Sequence, residues 1–152
     1  MAQSLRPDYG YRMKNNQKLA IGFTTGSCAA AASKAATIML ITGKEVESVK
    51  LCVPGGLTFL LKIEQVRRGE NFVECSVCKD SGDDPDVTNG IRIFSKVVDL
   101  GIKDQDSTVQ IDGGIGIGRV TKPGLDQPIG EAAINRVPRK MIQSEVEQVK
   151  KE

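Results

Sequence analysis

The chain has 152 residues, of which 39% are hydrophobic, and a formal net charge of +2 at pH 7. This length and composition suit one globular domain with a single core. Because the charge is nearly balanced and spread along the chain, neither a nucleic acid nor an anionic membrane is favoured as a partner. The sequence has no apolar run of about 18 residues and no secretory signal pattern, so a cytoplasmic protein is the simplest interpretation.

The chain contains four cysteines and no histidine. Cys75 and Cys78 fall in an alternating strand pattern, which places them on opposite faces, and there is no second CxxC; we therefore predict no metal site. Cys28 and Cys52 lie in apolar surroundings and are interpreted as packed thiols. The absence of histidine removes Ser-His and Cys-His nucleophile schemes, so any catalysis would use carboxylates, lysines or positioning.

The first half of the chain predicts an arm, a helix and three strands. Residues 1–20 are polar without a sustained period and are predicted to form a flexible arm. Residues 27–41 are rich in helix formers, with Gly43 as the stop and Thr24, Thr25 or Ser27 as the cap. Residues 46–53, 57–66 and 72–79 have strand character, and the polar connection at 67–71 favours an antiparallel meander.

The second half predicts another helix, a short strand and an amphipathic tail. Val87, Ile91, Phe94 and Val98 recur at helical spacing, which predicts a helix over residues 87–100. Residues 107–111 follow as a short strand. A last helix opens at Pro138, and its apolar stripe contains Met141, Ile142, Val146 and Val149.

This order of elements predicts an α+β fold, a two-layer sandwich with helices on one face of a mixed sheet of about four strands. We expect three parts: a flexible N-terminal arm at residues 1–20, an α+β domain at residues 21–135, and a C-terminal amphipathic helix at residues 136–152.

An acidic turn is the most unusual local feature. Four carboxylates crowd into the segment that follows Lys79, namely Asp80, Asp83, Asp84 and Asp86. One or two of them can cap a helix whose first turn holds Pro85, and the rest can be solvated. The alternative is a polar site for a ligand, a cation or a protonatable group. The run alone leaves both interpretations open.

Two further segments have a structural and a functional interpretation. Glycines alternate at Gly114, Gly116 and Gly118, where backbone N–H groups can bind anions, although the spacing does not match a dinucleotide fingerprint and an ordinary loop is equally consistent. Nearby cations favour a polycarboxylate ligand: Arg119, Lys122, Arg136 and Arg139. The hydroxyls and N–H groups at residues 24–27 are either a helix cap or an anion site.

Three segments in one order resemble the cobalt-precorrin-5B C1-methyltransferase family, CbiD. They are GFTTGSCAAA at 22–31, KDSGDDPDVT at 79–88, and the glycine segment 113–125, which ends in TKPGL. PIGEAAIN at 128–135 and VPR at 137–139 match as well. The resemblance covers residues 20–142, and several unusual motifs in a fixed order are more specific than any one of them.

The resemblance implies an enzyme of anaerobic cobalamin biosynthesis that transfers a methyl group from S-adenosylmethionine to C-1 of a cobalt-corrinoid. The substrate carries acetate and propionate groups, which cationic and polar groups would meet. The expected substrate-binding residues are Thr24, Thr25, Gly26, Ser27, Lys79, Gly116, Gly118, Arg119, Thr121 and Lys122. The expected catalytic residues are Asp80, Asp83, Asp84 and Asp86, which would accept a proton after methylation or orient Lys79.

Two departures from the family pattern limit this inference. Asn89 stands where family members often have histidine, and the family continues into a second α/β domain in which we expect most of the S-adenosylmethionine site. The resemblance therefore implies an N-terminal domain of the ribosomal-S5-domain-2-like type, with a small-molecule partner and either a homo-oligomer or a missing C-terminal domain. The alternative is a non-catalytic binding or scaffold domain whose partner carries the methyl-donor site.

Overall fold

The structure is a computed structural model that describes residues 24–80, 82, 90–101, 109–122, 124 and 127–151, together with the backbone of 11–14 and 17–20. Within this part of the chain, two helices and seven strands follow one another: β1 (Tyr11–Lys14), β2 (Gln17–Ala20), α1 (Thr25–Thr42), β3 (Ser48–Cys52), β4 (Thr58–Lys62), β5 (Glu64–Arg68), β6 (Phe72–Cys78), β7 (Arg92–Val98) and α2 (Arg136–Lys151). The predicted α+β class is confirmed.

The first helix spans Thr25–Thr42, slightly longer than the predicted 27–41, and its cap and its stop are among the predicted residues. Thr24 is the N-cap, with extended backbone, and its hydroxyl accepts a hydrogen bond from the Ser27 N–H at 3.1 Å. Gly43 ends the helix in the left-handed region at φ 71°, where its N–H bonds to the Met39 carbonyl at 2.9 Å. A residue with a side chain would be strained in that conformation, which explains the stop.

Helix α1 is the centre of the molecule and is covered around most of its circumference. Small residues on several sides of the helix are fully buried: Cys28, Ala30, Ala31, Ala32, Ala35 and Ala36. The helix contacts β3, β6 and β7 on one side and α2 on the other. Because alanine leaves little bulk on any side, both a sheet and a second helix can approach closely. The second helix therefore packs on α1, whereas the sequence predicted helices on one face of a sheet and treated residues 136–152 as a separate part.

All described strand pairs are antiparallel, and they form three sheets rather than one mixed sheet of about four strands. One sheet pairs β3 with β4, and its inward residues alternate with exposed ones. A second sheet joins β5, β6 and β7, with β6 in the middle, and the third is the pair β1 and β2. The predicted strand over residues 57–66 is divided at Ile63, and a register shift follows between Glu64 and Arg67, where Gln65 has φ 51°. This irregularity bends the chain from one sheet into the next.

Three local predictions differ from the structure. The helix predicted over residues 87–100 is wrong for its described part, which is strand β7. Residues 109–111 have no strand, and the rest of that predicted strand lies outside the described residues. Tyr11–Lys14 and Gln17–Ala20 pair as the antiparallel strands β1 and β2, although the sequence has no period there; the flexibility of the arm stays a prediction. Within the described part of the chain, neither α1 nor α2 is long and apolar enough to cross a membrane.

Candidate functional site

The first turns of the two helices lie against each other. A Cβ placed on Gly26 would come within 3.0 Å of Pro138 Cγ, so glycine allows the close approach of α2 to α1 at this point. Gly26 and Ser27 are buried, whereas Thr24 and Thr25 are exposed. One end of the helix pair therefore combines a tight contact with an exposed helix start.

The start of α1 is an ordinary hydroxyl cap with room for a further acceptor. The Thr24 hydroxyl lies 3.0 Å from the Ser27 hydroxyl and also takes the Ser27 N–H. The first intrahelical bond runs from Cys28 N to Thr24 O at 3.0 Å. An α-helix gives the N–H groups of Thr25 and Gly26 no intrahelical acceptor, and the positive end of the helix dipole favours an anion there.

The acidic motif begins at a loop base beside the same helix start. The Lys79 N–H donates to Ile91 O at 2.9 Å, and the Gly90 N–H donates to Lys79 O at 2.8 Å, so the chain leaves and returns at one point. Lys79 is only 5% exposed. Asp80 accepts the Gly82 N–H at 2.8 Å, which forms an Asx turn. The other predicted carboxylates, Asp83, Asp84 and Asp86, lie outside the described residues.

Charges at this loop base act on the thiol of Cys28 in the first turns of α1. Burial raises the pKa of Cys28 to about 12; Lys79 lowers it and Asp80 raises it to a smaller extent. Lys79 and Asp80 are therefore near enough to Cys28 for their charges to act on its thiol. A thiol with so high a pKa stays protonated near neutral pH, which agrees with a packed cysteine and not with a nucleophile.

The two cysteines of β6 confirm the predicted strand geometry. Cys75 is buried and its thiol contacts the Ala32 carbonyl of α1 at 3.1 Å, while Cys78 is exposed and contacts Gly90 O at 3.5 Å. Burial also raises the pKa of Cys75 to about 11. Because the two side chains leave opposite faces of the strand, they cannot bind one metal ion together.

The glycine segment forms an exposed loop that is closed by an ion pair. An Arg119 guanidinium N–H donates to Asp112 Oδ1 at 2.6 Å, and the Gly113 N–H donates to the same oxygen at 2.8 Å. The hydrogen bond from Arg119 holds the pKa of Asp112 below its usual range, with help from Gly113. Gly116 takes φ 86° at the turn, and Ile115 beside it is fully exposed. The described residues 119–122, directly after the loop, are not helical.

The glycine loop is attached to the start of α2. Arg119 forms an antiparallel bridge with Ala132. Arg139, in the first turns of α2, donates through Nε to Ile134 O at 2.8 Å and through Nη2 to Ala132 O at 2.9 Å. The Arg139 side chain therefore binds the segment that pairs with the glycine loop, and its positive charge further lowers the pKa of Asp112.

A chain of contacts thus links the three predicted segments. The base of the acidic loop lies near Cys28 in the first turns of α1, where Gly26 contacts Pro138 of α2. The Arg139 side chain of α2 donates to the carbonyl of Ala132, and Ala132 pairs with Arg119. In the glycine loop and directly after it, the residues predicted to bind substrate are exposed: Gly116, Gly118, Arg119, Thr121 and Lys122. An open groove of about 590 Å³ between α1 and β3, lined by Lys34, Ile38 and residues 45–50, contains none of the predicted site residues.

Three features of this region were not predicted from the sequence. Arg119 was counted as a cation for a ligand, and Asp112 was not identified as its partner, although an aspartate directly before a glycine run is a visible signal. Ile115 was also passed over, and its full exposure follows from its position at the turn. The contact between Gly26 and Pro138 joins distant parts of the chain and has no local signal.

The fold is an α+β domain built of two helices and small antiparallel sheets. The chain belongs to the CbiD family, whose model matches residues 12–152. It is 29% identical to the cobalamin biosynthesis protein (cbiD) from Archaeoglobus fulgidus, whose crystal structure aligns with a TM-score of 0.62 over 93% of this chain and 42% of that one.

Two curated relatives are both named cobalt-precorrin-5B C(1)-methyltransferase. The chain is 48% identical over 139 residues to the cobalt-precorrin-5B C(1)-methyltransferase of Alkaliphilus metalliredigens, covering 91% of this chain and 36% of the relative. It is 50% identical over 146 residues to that of Treponema denticola, covering 93% of this chain and 39% of the relative. The chain therefore spans between a third and two fifths of the length of these relatives.

Proposed function

We propose that this chain is the corrinoid-binding part of a cytoplasmic methyltransferase that acts on C-1 of cobalt-precorrin-5B. The names of relatives at 48% and 50% identity support this activity. Those relatives are more than twice as long as the matched segment, so we assign to this chain the binding of substrate and not the whole reaction.

The convergence of the three segments at one end of the helix pair is the observation that carries the proposal. A corrinoid rim bears several carboxylates at different positions, so its binding needs several separated donors. The N–H groups of Thr25 and Gly26, the ammonium of Lys122 and the guanidinium of Arg119 supply such donors from different elements. The hydroxyls of Thr24 and Thr121 supply further ones.

The glycine loop fits the face of a macrocycle. Gly114 and Gly118 have open space where a Cβ would stand, and neither has a positive φ, so packing within the chain does not demand glycine there. A bare backbone lets a flat ligand approach closely. Ile115 at the turn adds an exposed apolar side chain, which would gain about 1.5–3 kcal/mol if a ligand buried it fully.

The methyl donor in this proposal is S-adenosylmethionine, with most of its site outside this chain. The methyl carbon forms a bond to the ring carbon as the bond to the sulfonium sulfur breaks, and the electron pair of that bond goes to sulfur. Such a transfer requires mainly alignment of donor and acceptor. The acidic motif, with Asp80, Asp83, Asp84 and Asp86, is our candidate for accepting the proton that the ring loses, and Lys79 for binding the substrate beside it.

The packing of α2 favours a second candidate function. Val146 and Val149 of its apolar stripe are buried, and Met141 and Ile142 are half-buried against the core. The stripe is therefore covered by this chain itself. That arrangement is compatible with an independent, non-catalytic binding or scaffold domain whose partner carries the methyl-donor site.

Isothermal titration of the purified chain with cobyrinic acid, and separately with S-adenosylmethionine, tests the proposal. We expect cobyrinic acid to bind and S-adenosylmethionine not to bind. Lys122→Gln should weaken cobyrinic acid binding two- to fivefold, about what the loss of an exposed ion pair costs. Lys62→Gln removes an equal charge from an exposed position on β4 and should leave the affinity unchanged.

Each other result contradicts part of the proposal. Binding of S-adenosylmethionine by this chain would overturn our placement of the donor site. Failure to bind either compound would overturn the corrinoid assignment and favour the scaffold function. Equal losses in Lys122→Gln and Lys62→Gln would show that binding follows net charge and not this site.

A further inference from the structure

We propose that Asp112 is an exchangeable counter-ion, which holds Arg119 while the site is empty and gives way to a carboxylate of the ligand. The inference rests on the proposed function, since it concerns how that site takes an anionic substrate. It assigns to Asp112 a role in ligand specificity, because an anionic group replaces it on the guanidinium more favourably than a neutral acceptor does.

The ion pair between Arg119 and Asp112 is exposed, so it contributes little to folding stability and can be exchanged for another pair. Its two side chains are 47% and 71% exposed for Arg119 and Asp112 respectively, with an N–O distance of 2.6 Å. Ion pairs at such exposure contribute little to folding, because water solvates both charges once they separate. A ligand carboxylate can therefore replace Asp112 at low cost.

The surroundings keep Arg119 in place after the exchange. Its backbone pairs with Ala132, whose carbonyl is bound by Arg139. Asp112 stands on the other side of the glycine loop, where the Gly113 N–H also donates to its carboxylate. Glu131 acts on Arg119 through its charge alone. Separation of the pair would therefore release a solvated carboxylate and leave the guanidinium, on an anchored backbone, available to a ligand carboxylate.

Asp112→Asn tests the exchange, because asparagine keeps the size and the acceptor oxygen but loses the charge. We expect it to bind cobyrinic acid about two- to fivefold more tightly than the unchanged chain, the gain from removing a weak internal competitor. The heptamethyl ester of cobyrinic acid has no free carboxylate and should bind both forms equally. Glu131→Gln is the matched control: it removes one negative charge near Arg119 and should shift the affinity less than twofold.

The same change in an Arg119→Gln background completes the cycle. If Asp112 acts by occupying Arg119, Asp112→Asn should give no gain once the guanidinium is absent. A gain that persists there, or an equal gain in Glu131→Gln, would overturn the proposal in favour of general electrostatics. Weaker binding by Asp112→Asn would show that Asp112 orients Arg119 instead. Either result leaves the corrinoid assignment intact, whereas no binding by any form overturns both.

Discussion

At the scale of single residues, two neighbouring glycines of the loop have opposite surroundings. A Cβ on Gly113 would come within 2.7 Å of Ile117 Cγ2 and 2.9 Å of Ile117 Cβ, and within 3.0 Å of the Ala132 Cβ. Gly114 has nothing within 4 Å of that position. Gly113 is therefore required by packing within the chain, while Gly114 is open to the outside.

This contrast gives a matched pair of substitutions. Gly113→Ala should lower the free energy of unfolding by about 1–3 kcal/mol, the usual cost of forcing a methyl into a filled space, and should weaken cobyrinic acid binding by displacing the loop. Gly114→Ala should change stability by less than about 0.5 kcal/mol. Urea denaturation measures both. Equal effects of the two substitutions would contradict the packing of the loop against Ala132.

At the scale of elements, strand β7 shows where a sequence pattern misleads. Its exposure alternates along the strand, with Ile93, Ser95 and Val97 more buried than their neighbours. The middle inward position holds a serine, and two large apolar residues, Phe94 and Val98, are exposed on the outer face. The helical spacing of those outer residues hid the period of two.

A polar contact between helix and strand explains that serine and can be tested. The hydroxyls of Ser33 on α1 and Ser95 on β7 lie 2.7 Å apart. Replacing either with alanine leaves a partly buried hydroxyl without its partner, which should cost about 1–2 kcal/mol. The double variant should cost less than the sum, by a coupling of about 0.5–1.5 kcal/mol. Urea denaturation of the four proteins gives that coupling.

Ser144→Ala on the exposed face of α2 serves as the control and should be nearly neutral. A coupling near zero between positions 33 and 95 would contradict the placement of β7 against α1. The test is specific, because the helix that the sequence predicts over residues 87–100 gives no reason for these two serines to meet.

Local signals account for the elements that the sequence predicted well. Thr24 and Gly43 mark the ends of α1 by cap chemistry alone, and the stripe of α2 follows from its spacing. The candidate site was predicted as three separate segments, since each has its own unusual composition. Their meeting depends on long-range contacts such as that of Gly26 with Pro138, which no local pattern encodes.

At the scale of the whole molecule, α1 is the shared support of β3, β6, β7 and α2. The sheets cover one side of it and α2 covers the other. Because α1 exposes little of its own surface, its stability depends on both covers being present. The chain should therefore unfold as one cooperative unit, with α2 included although it lies at the end of the described sequence.

Val146→Ala tests this cooperativity from the end of the chain. Val146 is 6% exposed, so losing two methyl groups should lower the free energy of unfolding by about 1–3 kcal/mol. Gln148→Ala, on the exposed side of α2, should have little effect. If the core is one unit, native-state hydrogen exchange of the slowest amides in α1 and β6 should accelerate by the factor that this free energy predicts. Loss of protection confined to α2 would instead make α2 an independently opening segment, and the proposed corrinoid site, whose glycine loop is anchored by Arg139 of α2, would then be formed only while α2 is docked.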